Sequence, residues 1–268
     1  MSTLFDLTGK TALITGGGGV LGGAMADALA AHGARIIVCG RREALLQAAV
    51  DRMKANGVEA SFVQADTTDA AAFEAALAQA GDVHILLNAA GGTDAKAMTG
   101  PARTVFDLDL EAMRAVMDQN WMGTVVPCLA VAKQFIARSE GVIINIASMS
   151  SYKPVTRNVA YSSGKAAVKN FTEWLAVHMA QHYSPKIRVN AVAPGFFLAE
   201  QNRALLTDPA TGELNDRAKT MIRGTPMGRL GQPDDLGGTV VFLASEASRF
   251  LTGVTIPVDG GFQAFGGV

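Results

Sequence analysis

The sequence predicts an α/β fold: one doubly wound, Rossmann-type domain with a seven-stranded parallel sheet and helices on both faces. Three observations predict it. Short apolar runs alternate with helix-periodic segments along the 268 residues. The runs are almost continuously apolar, as strands covered on both faces require. Glycine closes several helical segments, where a left-handed C-cap is needed.

The elements follow in order. "KTALIT" (10–15) reads as a buried strand, and "VLGGAMADALAAHG" (20–33) as a helix closed by Gly33. "RIIVCG" (35–40) is a second strand and "REALLQAAVDRMKANG" (42–57) its helix. "EASFVQAD" (59–66) and "DAAAFEAALAQAG" (69–81) are the third pair. "HILLNAAGG" (84–92) is a strand ending in a glycine turn. One long helical stretch, 109–139, precedes strand "GVIINIAS" (141–148). Residues 160–183 form a long helix, "KIRVNAVAPG" (186–195) a strand, 233–248 a helix and "GVTIPVDGG" (253–261) the last strand. Seven strands and about six helices make one domain spanning 1–268, with right-handed crossovers. The irregular stretches 92–107 and 196–227 are longer than ordinary connections, and the second reads as a substrate lid.

Composition narrows the function. Apolar residues make up 49% and the formal net charge is −1, with no long run of like charge. That argues against nucleic acid or an anionic membrane as partner. No apolar run reaches the roughly 20 residues of a membrane helix, and "MSTLFDLTGK" lacks signal-peptide regions. Cys39 and Cys128 sit in apolar settings and read as buried thiols of a reducing compartment. A cytoplasmic protein is expected.

"TGGGGVLGG" (15–23) lies between the first strand and first helix, where a phosphate-binding turn belongs. Gly17, Gly19 and Gly22 fit G-x-G-x-x-G; taken alone, that is equally a tight turn. In the strand–turn–helix context, backbone N–H groups at the helix start would meet a pyrophosphate. The acidic residue expected after the second strand is missing. Gly40, Arg41 and Arg42 stand there instead. No carboxylate meets a ribose 2′-hydroxyl, whereas arginine suits a 2′-phosphate, so NADP is favoured over NAD. The plainer reading of both arginines is a solvated helix start. "YSSGK" puts Tyr161 and Lys165 one helical turn apart. An ammonium near a phenol would lower the tyrosine pKa and suit it to acid–base work, although a surface Tyr/Lys pair has the same spacing. Ser148 ends a strand, where open α/β sheets bind ligands, and could bond a substrate carbonyl. His178 and His182, four apart, lack the glutamate of H-E-x-x-H, and His178 lies about 25 Å along the helix from Tyr161. No metal site is expected.

These motifs together resemble the short-chain dehydrogenase/reductase family over essentially the whole chain. In the family's T-G-x-x-x-G-x-G register, Thr15, Gly16 and Gly22 match, while Val20 stands at the middle glycine. The resemblance implies that Gly16, Gly18, Gly19, Val20, Leu21, Arg41, Asp66, Thr67, Asn88, Ala89, Ala90, Gly91, Tyr161, Lys165, Pro194, Gly195 and Phe197 bind the cofactor. "NAAG" (88–91) and "APG" (193–195) are family motifs, and Asp66 is the acidic residue near the adenine. The family's threonine after "APG" falls at Ala199. Asn120, Ser148, Tyr161 and Lys165 match the catalytic set. The implied chemistry is hydride transfer from NAD(P)H without metal. Tyr161 gives the proton, Lys165 tunes it and binds the nicotinamide ribose, Ser148 polarises the carbonyl and Asn120 positions a water.

Within the family the resemblance narrows to the branch interconverting D-fructuronate and D-mannonate. "TGGGGVLGGAMA", including Val20, the stretch from "NIASMSS" through the catalytic tyrosine, and the ending "IPVDGGFQAFGGV" carry it. An anionic, hydroxylated substrate needs a cation and several hydrogen-bonding groups. Lys153, Arg157, Gln201, Asn202 and Arg203 are the candidates, with Arg157 or Arg203 on the carboxylate. The alternatives are a reductase of another ketone, such as a 3-oxoacyl carrier-protein thioester, and a nucleotide-sensing protein with no reaction. The resemblance implies a homotetramer or homodimer.

Overall fold

A computed structural model describes residues 3–198, 206–208 and 211–267. Its seven strands are β1 (Thr11–Thr15), β2 (Arg35–Gly40), β3 (Ala60–Gln64), β4 (Ile85–Asn88), β5 (Gly141–Ile146), β6 (Ile187–Pro194) and β7 (Thr255–Val258). All pair in parallel, in the order β3-β2-β1-β4-β5-β6-β7. The chain lays down β2 and β3 on one side of β1, then crosses to the other side for β4. The order therefore reverses between β1 and β4, and a crevice opens there at the carboxyl ends of the strands.

The period of two along each strand sorts side chains between the two sheet faces. Ala12, Ile14, Ile36, Val38, Ile85 and Leu87 pack with α1 (Val20–Ala31), α2 (Glu43–Ala55) and α8 (Gly237–Ala244). Leu13, Ile37, Leu86 and Ile143 face α3 (Ala70–Ala80), α5 (Met122–Arg138) and α6 (Val159–His182). A strand flanked by two such layers must be apolar at every position, which is why the runs show no alternation.

Three sequence expectations change. The helical stretch 109–139 divides into α4 (Leu110–Asn120) and α5, hinged at Trp121 (φ −90°, ψ −60°). There the Thr124 amide turns to the Trp121 carbonyl, and the Asn120 carbonyl takes the Thr124 hydroxyl at 2.9 Å. The stretch 233–248 is a tight turn of helix (Pro233–Leu236), then α8, then another short turn (Glu246–Ser248). The irregular stretch 196–227 contains a short helix, α7 (Asp216–Arg223), begun by Asn215, whose side chain accepts the Ala218 N–H at 3.1 Å.

Candidate active site

The crevice between β1 and β4 is a cleft of about 330 Å³. Its walls are built so closely that several glycines have no room for a side chain. A Cβ on Gly16 (φ +69°) would lie 2.8 Å from the Ala89–Ala90 peptide, and one on Gly22 would lie 2.4 Å from the Gly16 carbonyl. The turn and the loop after β4 are thus stacked backbone against backbone, and Gly22 lets α1 begin directly under the turn. Gly17 faces the sheet, where a Cβ would strike Val38 at 2.5 Å. Gly19 caps α1 in extended conformation, so Val20 is its first helical residue. Gly16, at positive φ and pressed on the Ala89–Ala90 peptide, belongs only to the T-G-x-x-x-G-x-G register, and Val20 fits there because it is already in the helix. Gly16, Gly18, Gly19, Val20, Leu21, Ala89, Ala90 and Gly91 line the cleft, and free amides at the start of α1 suit a pyrophosphate.

Arg41, Asp66 and Thr67 line the far end. Arg41 Nη1 is 3.7 Å from Asp66 Oδ2, and both side chains are largely exposed. Asp66 Oδ1 accepts the Thr68 amide (2.9 Å) and hydroxyl (2.8 Å). Burial pushes the Asp66 carboxyl up, but the two Thr68 donors and Arg41 together hold it below its ordinary value. Arg42 lines the cleft beside Arg41, and so do Leu45 and Gln119, which no motif of the sequence marks. Leu45 meets Gly18 from one turn inside α2, a contact no local motif encodes. Gln119 is signalled only by its place before Asn120. Asn88, by contrast, is 1% exposed and lies beneath the floor. Pro194 ends β6 and Gly195 follows it, at the carboxyl ends of the strands. Phe197 packs into the core, and these three residues do not line the cleft.

Tyr161 and Lys165 stand on α6 and close the near end. Asn158 starts that helix, accepting the Tyr161 N–H at 3.4 Å. Lys165 Nζ lies 5.8 Å from the Tyr161 ring centre and donates to the Ile146 carbonyl at 2.7 Å. Burial pulls the lysine down to about 8. Tyr161 departs from expectation. Burial raises its hydroxyl above the ordinary value, and the Ser148 hydroxyl bond only partly offsets this. Ser148 Oγ also accepts the Ser150 N–H at 3.1 Å, which leaves its own proton to donate. Asn120 is wholly buried. Its Nδ2 donates to the Gly92 carbonyl at 2.7 Å and its Oδ1 accepts the Gly92 amide at 3.3 Å. Gly91 is the spacer of this cluster: a Cβ there would lie 2.7 Å from Asn120 Oδ1 and 3.2 Å from Lys165 Nζ.

The candidate substrate residues are dispersed. Lys153 Nζ donates to the Phe265 carbonyl of the C-terminal segment at 3.2 Å. Arg157 has an exposed side chain, and its carbonyl accepts the Thr99 N–H at 3.0 Å. Asn158 Nδ2 bonds Thr93 Oγ1 at 2.6 Å, so the stretch 92–107 docks on the start of the tyrosine helix. Gln201, Asn202, Arg203 and Ala199 lie outside the described residues. His178 stacks on Trp174 (5.0 Å, 14°) and against His182 (4.5 Å) along α6. Among the described residues no group of three or more His, Cys, Asp or Glu could hold a metal.

Residues 10–210 match the model of the short chain dehydrogenase family. The chain belongs to that family. An uncharacterised oxidoreductase of Bacillus subtilis strain 168, UxuB, is 43% identical over 276 residues, covering 98% of both chains. A Haemophilus crystal structure with bound NAD, of a protein provisionally assigned as a D-mannonate oxidoreductase, is 37% identical with a TM-score of 0.92. That match covers 98% of each chain. A gluconate 5-dehydrogenase from Burkholderia cenocepacia J2315, in complex with NADP and tartrate, is 34% identical with a TM-score of 0.86, again over 98% of each. As a short-chain dehydrogenase, the chain is an oxidoreductase with a nicotinamide cofactor, and the glycine-walled cleft fits that group. Gly16 and Gly22 let the turn stack tightly on the loop after β4 and on α1, and Gly18, Gly19 and Gly91 present bare backbone to the cleft.

Proposed function

We propose that the chain interconverts a carbonyl and a secondary alcohol on a sugar acid, D-fructuronate/D-mannonate, with NADP preferred over NAD. The observation that carries the chemistry is the convergence of Ser148, Tyr161 and Lys165 at one end of the glycine-walled cleft. The sugar-acid reading is supported by full-length similarity to proteins whose names specify mannonate and gluconate. NADP is supported by Arg41 and Arg42 after β2, with Gly40 where a carboxylate would select a free 2′-hydroxyl.

The bound nicotinamide supplies hydride to the carbonyl carbon or takes it from the alcohol. The Ser148 proton orients and polarises the substrate oxygen. Tyr161, kept protonated by burial, gives its proton to that oxygen as negative charge develops. Lys165, buried beside the tyrosine ring, stabilises the phenolate left behind. The Ile146 carbonyl holds the Lys165 ammonium, which would also bind the nicotinamide ribose; Asn120 positions the water that returns the proton. Arg157 or Arg203 clamps the substrate carboxylate. The two unpaired buried thiols suit the cytoplasm, and the exposed apolar side chains of α5 and α6 suit a homotetramer.

The test is NAD(P)H absorbance with D-fructuronate, other keto-sugar acids and an acetoacetyl thioester. Turnover confined to sugar acids supports the reading. Turnover confined to the thioester would replace it with an acyl-ketone reductase, and no turnover with any carbonyl would favour a nucleotide sensor.

A further inference from the structure

Beneath the cleft runs a chain of side-chain hydrogen bonds that the catalytic set leaves unexplained. Thr15, Asn88, Cys128, Asn145 and Thr172 are at most 1% exposed and come from five different elements, β1, β4, α5, β5 and α6. The Ala90 amide donates to Thr15 Oγ1 at 3.2 Å, and that hydroxyl faces Asn88 Oδ1 at 3.5 Å. Asn88 Nδ2 donates to Asn145 Oδ1 at 2.9 Å, and Asn145 Nδ2 donates to Thr172 Oγ1 at 2.9 Å. Thr172 Oγ1 in turn donates to the Val168 carbonyl at 2.8 Å. The Cys128 sulfur accepts a second Asn88 N–H at 3.2 Å.

Each member accepts on one side and donates on the other, so the chain has one polarity throughout. Reversing either amide would set donor against donor and acceptor against acceptor in a dry interior, where unmet groups are costly. Packing of apolar residues imposes no such directional rule. The two ends are informative. One is the backbone of the loop that walls the cleft. The other is the backbone of α6, three residues past Lys165. Ile146, adjacent to Asn145, supplies the carbonyl that holds Lys165 Nζ, and Gly91, adjacent to Ala90, abuts the same ammonium.

We infer that Asn145 and Thr172 are positioning residues for hydride transfer: through this chain they hold Tyr161 and Lys165 on α6 in register with the cofactor loop 89–91. The inference rests on the oxidoreductase chemistry and not on the choice of sugar acid. Thr172→Val keeps the volume and removes the link, while Thr172→Ser keeps the hydroxyl. Thr172→Val is expected to lower kcat about tenfold, because small displacements of reacting groups are expensive, while the NAD(P)H dissociation constant holds. It is also expected to move the titration of the Lys165 ammonium, followed by ¹⁵N NMR and assigned with Lys165→Arg. Thr172→Ser restores both. Should Thr172→Val fail to fold, Thr172→Cys, a weak donor, is expected to show the same changes in smaller measure. A lowered Tm with kcat and the Lys165 titration unchanged would overturn the inference. Were D-fructuronate not a substrate, the titration would still decide it, so this failure and that of the substrate reading are separable.

Discussion

Tyr161 and Lys165 were legible as a pair because four residues on a helix is one turn, whatever the helix packs against. Their ionisation was not legible, because it depends on burial, which spacing does not encode. Burial holds Tyr161 protonated and brings Lys165 down to about 8. The reductive rate, which needs the charged lysine, should therefore fall as pH rises through about 8. Lys165→Arg, which keeps its charge, should flatten that limb in a pH–rate profile. Tyr161→Phe should cut kcat by about 10²- to 10⁴-fold while cofactor quenching of protein fluorescence is retained. His84 poses a separate residue-level question, away from the site. Its Nδ1 accepts the Thr11 amide at 3.2 Å, which requires the neutral ring. Burial first, then Arg138 and Lys10, hold its pKa below the ordinary value near 6.5. The unfolded chain takes up this proton more readily than the folded one. Stability should thus be intact above about pH 6.5 and decline as pH falls through and below it. Denaturant titrations of His84→Gln should show a shallower decline.

At the scale of the element, the glycine turn shows what pattern can and cannot supply. Strand, glycines and helix were readable; the register was open, because four consecutive glycines satisfy two patterns. Contact decides it. Gly16, found only in the family's register, sits at φ +69° with the Ala89–Ala90 peptide 2.8 Å from where a Cβ would be; Gly22, common to both registers, has the Gly16 carbonyl at 2.4 Å, whereas Gly19 has it at 3.2 Å. Gly22→Ala should therefore lower Tm and abolish cofactor binding together. Gly19→Ala should keep Tm near that of the parent while weakening cofactor binding, read by calorimetry. The hinge between α4 and α5 was not legible, since nothing in "QNWMG" forbids a helix. It follows from the tertiary demand that Asn120 bond Gly92. Helix α7 was hidden for another reason: it is eight residues long and mostly polar, with Ala218 its one buried side chain, too short to repeat its pattern more than about twice.

For the whole molecule, alternating strands and helices were enough to show a parallel, doubly wound sheet, because parallel strands need crossovers; the order β3-β2-β1-β4-β5-β6-β7 was not legible, since more than one order shares that alternation and hand. What alternation could not show is which surface remains apolar. Leu129 on α5 and Trp174 and Val177 on α6 are exposed, and these are the side chains that the proposed homotetramer would cover. Trp174→Glu should lower the assembly mass in light scattering without unfolding the chain. The bond from Lys153 to the Phe265 carbonyl has a practical consequence. It joins the C-terminal segment to the loop between Ser148 and Tyr161, whereas Thr3–Phe5 pack on the turn Glu246–Ser248. An affinity handle fused after Val268 would pull on the substrate side of the enzyme, and one fused before Met1 would not. Kinetic constants measured on the two fusions should differ in KM for the sugar acid, with the amino-terminal fusion matching the untagged enzyme.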